Sequence, residues 1–359
     1  MSSNQQLPQK YRAFHILKPG KGFDSDNIKL VEIDSEPDIQ AEDVLVKIHA
    51  VSLNHRDLDI ATGEYGGGLV SLPNNILPVS DAAGEIVALG SRVKNWSTGQ
   101  RVCVNFSLDH IDGDPAPEQV PKHLGGPETE GMLTEYRVVP AHALVEIPEY
   151  MSYEEASTLP CAAVTAYNGL YGPKPLRGGD FVLILGTGGV SIFGIQIAVA
   201  AGATVIATSS SDEKLAIAKK LGAKHVINYS KEKNWDEEVL KITDGRGVDH
   251  VLEVGGLGTL PQSLKCLRMA GSISIIGYVA GYPPPADSLV HLMIFKAAVV
   301  RGILIGSVAQ FKDLLRLFTT HQVKPVVDKV FAFEEAAEAF KYLSSQKHVG
   351  NVVVRVVGQ

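Results

Sequence analysis

From Lys10 to about Pro148, apolar and polar residues alternate over short runs that Gly, Pro and Asp interrupt. DVLVKIHAVSL, AAGEIVALG, RVCVNF and TEYRVVP are the clearest, and a period of two predicts the half-buried strands of a compact β domain. RDLDIATG, Arg56 to Gly63, predicts a brief helix lodged between strands. Asp109 to Gly131 has no period and predicts a surface lobe. YEEASTLPCAAVTAYNGLY predicts a helix interrupted near Pro160, which lacks the N–H that helical bonding needs.

The pattern then changes. Phe181 to Leu185 is an unbroken apolar run, as in a strand buried on both faces, and Gly186, Gly188 and Gly189 end it. Apolar residues recur at helical spacing from Ile192 to Ala201, Gly202 and Ala203 stop that helix, and Thr204 to Thr208 reads as a second strand. The alternation continues through a helix to Leu221, strand HVINY, a helix from Trp235 to Ile242, strand VDHVLEV, a helix from Thr259 to Arg268 and strand GSISIIGYV. Such a series predicts a parallel sheet covered on both faces, spanning roughly Thr158 to Gly302. Beyond it, amphipathic FKDLLRLF and EEAAEAFKYLSS and the strand NVVVRVV predict a return to the first domain.

The turn of Gly186, Thr187, Gly188, Gly189 and Val190 lies between strand and helix, where backbone N–H groups and the positive end of a helix dipole receive a dinucleotide pyrophosphate. The last small position of the G-x-G-x-x-G spacing is Ser191, able to cap the helix or touch phosphate. An NAD site usually has a carboxylate on the ribose about 20 residues further on. Here the second strand ends in Thr208, Ser209, Ser210 and Ser211, with Lys214 beyond, and hydroxyls with a cation predict the 2′-phosphate of NADP(H). Asp212 and Glu213 suit the first turn of the next helix. Gly255 and Gly256, at the carboxyl end of a parallel strand, predict close approach to the cofactor. SISIIGYV and AAVVRGILIG are apolar strands late in the sheet, and an unpaired edge there predicts a homodimer.

Composition narrows the classes. The 359 residues, 45% hydrophobic and 20% charged, suit a soluble two-domain protein, and a net charge of −7 argues against a nucleic-acid footprint. Neither a membrane span nor a secretory signal is evident, so a cytoplasmic address is expected. Cys103, Cys161 and Cys266 are scattered and suggest neither a disulfide framework nor a zinc cluster.

With LPVSDAAGEIVALGSRVKNWSTGQRV, LGTGGVSIFGIQIA, GATVIATSSSDEKLAIAKKLGAKHVINY and GVDHVLEVGG in that order, the chain resembles the medium-chain dehydrogenase/reductases, on their zinc-free quinone oxidoreductase and alcohol dehydrogenase-like branch. The resemblance implies an α/β protein, with a doubly wound Rossmann sheet over 158–302 and a chaperonin-10-like (GroES-like) β domain from 1–157 and 303–359. The cofactor would lie in the cleft between the two. Zinc members carry a catalytic Cys where this chain has Asn54 and a His-Glu pair where it has Ser80 and Asp81, leaving Cys161 at the third ligand position. The four cysteines of the family's structural zinc lobe are also missing, and His110 and His123 in that stretch are expected to be solvated, so no metal is expected. Tyr229 matches a tyrosine that reaches the adenosine phosphate, the alternative being a strand-end aromatic packed on the sheet; Gly277, Tyr278, Ile305 and Gly306 would line the nicotinamide. Asn351 stands where a Lys is common at the cofactor's edge.

Three residues are candidates for the chemistry. Tyr65, closing ATGEY, matches a tyrosine facing the nicotinamide in similar reductases and is either a proton donor or a loop aromatic covering the pocket. His55 is either a donor or a packed or solvated histidine, and Asn54 is the remaining alternative. Asp57 either supports the site, caps the helix or pairs with an arginine. The implied activity is NADPH-dependent hydride transfer to a quinone, an activated double bond or a carbonyl of a small molecule. A zinc alcohol dehydrogenase and a non-catalytic NADPH-binding protein are the alternatives.

Overall fold

The computed structural model of the chain describes residues 7–68, 70–279 and 289–357; the proline-rich stretch YPPPADS at 282–288, expected from its composition to be a loop at the rim of the site, lies outside them. Two compact units emerge. One runs to Val164 and takes up Gly306–Leu315 and the chain from Lys324 onward, while the other comprises Thr165–Ile305 and Arg316–Val323.

The first unit opens with strands β1 (Lys10–Ile16) and β2 (Ile28–Asp34), paired antiparallel from Lys10 with Asp34 to Ile16 with Ile28. β3 (Asp43–Leu53) follows and runs into helix α1 (His55–Thr62). Gly63 ends that helix at φ 76°, a left-handed conformation that glycine adopts without strain. β4 (Asp81–Leu89), β5 (Arg101–Val104), β6 (Tyr136–Pro140) and β7 (Leu144–Glu146) complete the first pass. Around Pro160 the expected interruption takes a definite form: α2 (Tyr153–Ser157) gives way to a wider π-helical turn at Leu159–Ala163 before α3 (Val164–Leu170).

In the second unit, β8 (Phe181–Leu185), α4 (Gly189–Ala200), β9 (Thr204–Ser209), α5 (Asp212–Lys220), β10 (His225–Asn228), α6 (Trp235–Ile242), β11 (Val248–Glu253), α7 (Leu260–Cys266) and β12 (Leu267–Ile275) follow the predicted alternation. α8 (Leu289–Phe295) and β13 (Val299–Gly302) close the sheet, whose order is β10-β9-β8-β11-β12-β13 with every pair parallel. Leu183, Ile206, Val251, Leu264 and Ile273 form its core. The strand order reverses between β8 and β11, and in such sheets ligands bind outside the carboxyl ends of the strands at that point.

The chain then passes through α9 (Val308–His321) to β14 (Val327–Ala332), α10 (Ala336–Ser344) and β15 (Asn351–Arg355). β15 enters the interior of the first unit's sheet, antiparallel to β3 and parallel to β14, giving the order β14-β15-β3-β4-β5-β7 with β6 also on β3. Ile48, Ile60, Phe340 and Val354 are among the residues it buries. No helix of the described residues is long and apolar enough to cross a membrane.

Candidate functional site

Two groups of predicted residues are placed by the fold, one in each unit. In the nucleotide unit Gly186 has φ 74°, and nothing lies within 4 Å of a Cβ built on Gly188, which starts α4, so this turn presents bare backbone. Ser191 neither caps the helix nor faces outward: it is buried, and its hydroxyl donates to the carbonyl of Leu185 at 2.7 Å, tying α4 to the end of β8. The close helix-to-sheet approach that the fingerprint assigns to its last glycine falls one turn later, at Gly194, where a Cβ would come 2.5 Å from Leu252.

At the end of β9, Ser209 is buried while Ser210 is exposed. Ser211 caps α5, accepting from the N–H of Lys214. Asp212 is held by Asn228 at 2.7 Å and by Lys231, and Glu213 accepts from the Ser211 hydroxyl, so both acids serve the start of α5. Tyr229 is 39% exposed, and its N–H donates to the carbonyl of Ser209.

The loop after β11 is organised by Glu253, which sequence reasoning passed over. Wholly buried, its carboxylate accepts from the N–H groups of Gly255 (2.8 Å) and Gly256 (3.1 Å) and from the hydroxyls of Thr259 and Ser263 (both 2.5 Å). Burial pushes its pKa up despite these donors. The signal was there to find: a carboxylate in a run of apolar strand residues, followed by Gly-Gly. A Cβ on Gly255 would strike Thr259 at 2.2 Å and one on Gly277 the carbonyl of Val254 at 2.8 Å, so each glycine is needed for chain packing before any ligand is considered. Tyr278 is 37% exposed. Ile305 takes φ 51°, with its carbonyl accepting from Asn168, while Gly306 abuts Val164, and Asn351 is buried against the carbonyl of Val326.

In the first unit the positions of the absent zinc ligands do come together. Ser80 donates to Asp81 at 2.6 Å, and the other oxygen of that carboxylate accepts from the N–H of Cys161 at 2.8 Å. Val79, immediately before them, holds φ 71°, a strained conformation for a β-branched residue. Gly125 and Gly131 press so closely on this backbone that a Cβ on Gly131 would lie 2.2 Å from the carbonyl of Pro78. Asn54 leads into α1, and its N–H donates to Asp57 at 2.8 Å; Asp57 also accepts from Arg56 at 3.1 Å, so it both caps the helix and pairs with an arginine. Burial pushes Asp57 up to about 6 and Asp81 up to about 7, against the pull of Arg56 on the first and of Ser80 on the second. His55 is exposed, with Nε2 3.6 Å from Asp59. Tyr65 is partly buried, and the Arg56 guanidinium lies 5.0 Å from its ring centre.

A catalytic zinc needs three protein donors and an open position. Here the positions supply an amide, a hydroxyl committed to Asp81 and a thiol, a set that does not fit the ion, and no group of three or more His, Cys, Asp or Glu among the described residues is placed to hold a metal. The lobe histidines correct an expectation: His110 and His123 are buried rather than solvated, because the stretch folds back on the core at Leu124, Met132 and Leu133. His110 bonds the carbonyl of Gly113, and His123 packs edge-on to Phe106 with its pKa pushed down to about 4, by burial first and then by Arg56.

The two carboxyl groups also predict a pH response. Folded Asp81 holds a proton that the unfolded chain releases near a carboxylate's ordinary value, so between about pH 4 and 7 this group costs stability as pH rises. Asp81→Asn should flatten that decline in Tm, and parallel curves for the two proteins would refute the assignment.

The family model described as an alcohol dehydrogenase GroES-like domain matches residues 40–149, and that described as a zinc-binding dehydrogenase matches residues 189–320. The zinc-type alcohol dehydrogenase-like protein C1773.06c of Schizosaccharomyces pombe is 47% identical over 93% of this chain and 96% of its own. The 2-methylene-furan-3-one reductase of Solanum lycopersicum is 30% identical over 99% of this chain and 82% of its own. A solved NAD-dependent alcohol dehydrogenase superposes with a TM-score of 0.85 at 28% identity, over 96% of this chain and all of the other.

Proposed function

Because the chain belongs to the medium-chain dehydrogenase/reductase superfamily, we propose that this oxidoreductase uses NADPH to reduce an activated double bond, a quinone or a carbonyl of a small molecule without a metal. The replaced ligand set carries the reading: where a zinc would be held stand Asn54, a Ser80 hydroxyl given to Asp81, and Cys161. The enone reductase among its relatives supports the substrate class. Exposed Ser210, with Lys214 and Tyr229, supports NADPH, since the nearby carboxylate of Asp212 is already paired.

When bound, the nicotinamide supplies the hydride. The open turn from Gly186 to Val190 would take the pyrophosphate against the start of α4, and Gly255, Gly277, Tyr278 and Ile305 would wall the ring. Tyr65 or His55 would then return a proton to the reduced substrate, with Asn54 able to donate a hydrogen bond to its oxygen. NADPH oxidation against a panel of quinones, enones and aldehydes, before and after chelation, tests this. Turnover that survives chelation supports it; about one zinc per chain with chelator-sensitive alcohol oxidation would replace it with a zinc alcohol dehydrogenase, and NADPH binding without turnover would leave a binding protein.

We also infer a homodimer. β13 is an edge of the nucleotide sheet, and Val290, Ile294 and Phe295 of the preceding helix are 65%, 69% and 73% exposed. Light scattering should give twice 38.5 kDa, and a monomer at micromolar concentration would remove the inference.

A further inference from the structure

A reduction that delivers hydride to an enone moves the π electron pair onto the carbonyl oxygen, and that negative charge must be met before a proton arrives. Zinc relatives have a cation for this; the donor set here does not hold one. One side chain in the same cluster carries a permanent positive charge. Arg56 lies two residues after Asn54, in the first turn of α1, and its side chain is 10% exposed. Its guanidinium lies between two aromatic rings, 5.0 Å from the centre of Tyr65 and 5.0 Å from that of Phe106.

Its hydrogen bonding is incomplete. Nη1 donates to Asp57 at 3.1 Å and the Tyr65 hydroxyl also favours the charge, while Nε and Nη2 are buried with no well-formed hydrogen bond among the described residues. Buried donors of a charged group are seldom left unmatched for packing alone. Its ion-pair partner among the described residues is Asp57, which is buried, also accepts from the N–H of Asn54 and is pushed up to about 6. Burial works against the guanidinium charge, while Asp57, Tyr65 and Cys161 together favour it.

We propose that Arg56 is the fixed cation of this site and compensates, across the Tyr65 ring, the negative charge that hydride transfer places on the substrate oxygen. This rests on the metal-free reductase reading above. It assigns Arg56 no contact with the substrate: in a buried setting a charge acts strongly over such distances.

The test uses the full-length protein and three variants: Arg56→Lys, which keeps a cation, Arg56→Gln, and Arg56→Gln/Asp57→Asn, which removes the pair together so that no buried charge is stranded. With methyl vinyl ketone as acceptor, kcat should fall about 100-fold in the neutral double variant and less than about 10-fold in Arg56→Lys, with NADPH affinity unchanged. Crotonate, whose carboxylate imitates the oxyanion, should bind the parent's NADP+ complex and bind the double variant at least about 10-fold more weakly. A folded double variant with parental kcat, or with parental crotonate affinity, overturns the proposal while leaving the reductase reading intact. A parent that neither binds NADPH nor reduces the enone overturns that reading and this inference with it.

Discussion

Tyr65→Phe is expected to lower kcat by about 100-fold or more while leaving NADPH affinity where it was. The substitution removes one oxygen. The ring remains on the Arg56 guanidinium, 5.0 Å from its centre, so the stacking that positions the side chain persists while the proposed proton donation and the hydroxyl's bond with Arg56 are lost. Single-turnover measurements with an enone separate the effect from binding, because a donor acts after hydride arrival and does not help to hold the cofactor. If Tyr65→Phe turns over like the parent, Tyr65 is not the donor, and Asn54 and His55 become the residues to substitute next.

Ser210→Asp should move the ratio of kcat/KM for NADPH over NADH down by about 100-fold, since placing like charges together costs several kcal/mol. Ser210 is the better position than Ser209, which is buried and would bring the new carboxylate into the protein interior. The natural carboxylates nearby do not already exclude a 2′-phosphate: Asp212 is neutralised by Lys231 and bonded by Asn228, and Glu213 is turned to Ser211. An unchanged ratio, or a parent equally efficient with both cofactors, would show that the adenosine end is read elsewhere.

The nucleotide unit was legible because a strand buried on both faces leaves an unbroken apolar run, as β8 does, and because strands and helices then alternate regularly through β9 and β11. β14 was not, since Asp328, Lys329 and Val330 are all exposed along it and leave no period to read. Composition misled at His110 and His123, where a polar stretch folds back and buries its imidazoles. Capping of the helix and pairing with an arginine were both open readings of Asp57 in the sequence, and the structure joins them, because Asp57 bends back to cap Asn54 and so meets its neighbour Arg56. Ser80, Asp81 and Cys161 needed the fold to show that one carboxylate ties the hydroxyl to the backbone of a residue 80 positions away.

The place of β15 bears on how the protein is made. Residues 351–355 pair with both β3 and β14 inside the sheet, so residues 50–53 of β3, which already has β4 and β6 as neighbours, wait for this partner until some 300 further residues have left the ribosome. All six strands of the nucleotide sheet lie between Phe181 and Gly302, and that sheet can be completed while the other unit's still has an open edge. During that interval residues 50–53 of β3 carry an unpaired edge that chaperones or other nascent chains can meet, a liability of synthesis that the finished fold removes.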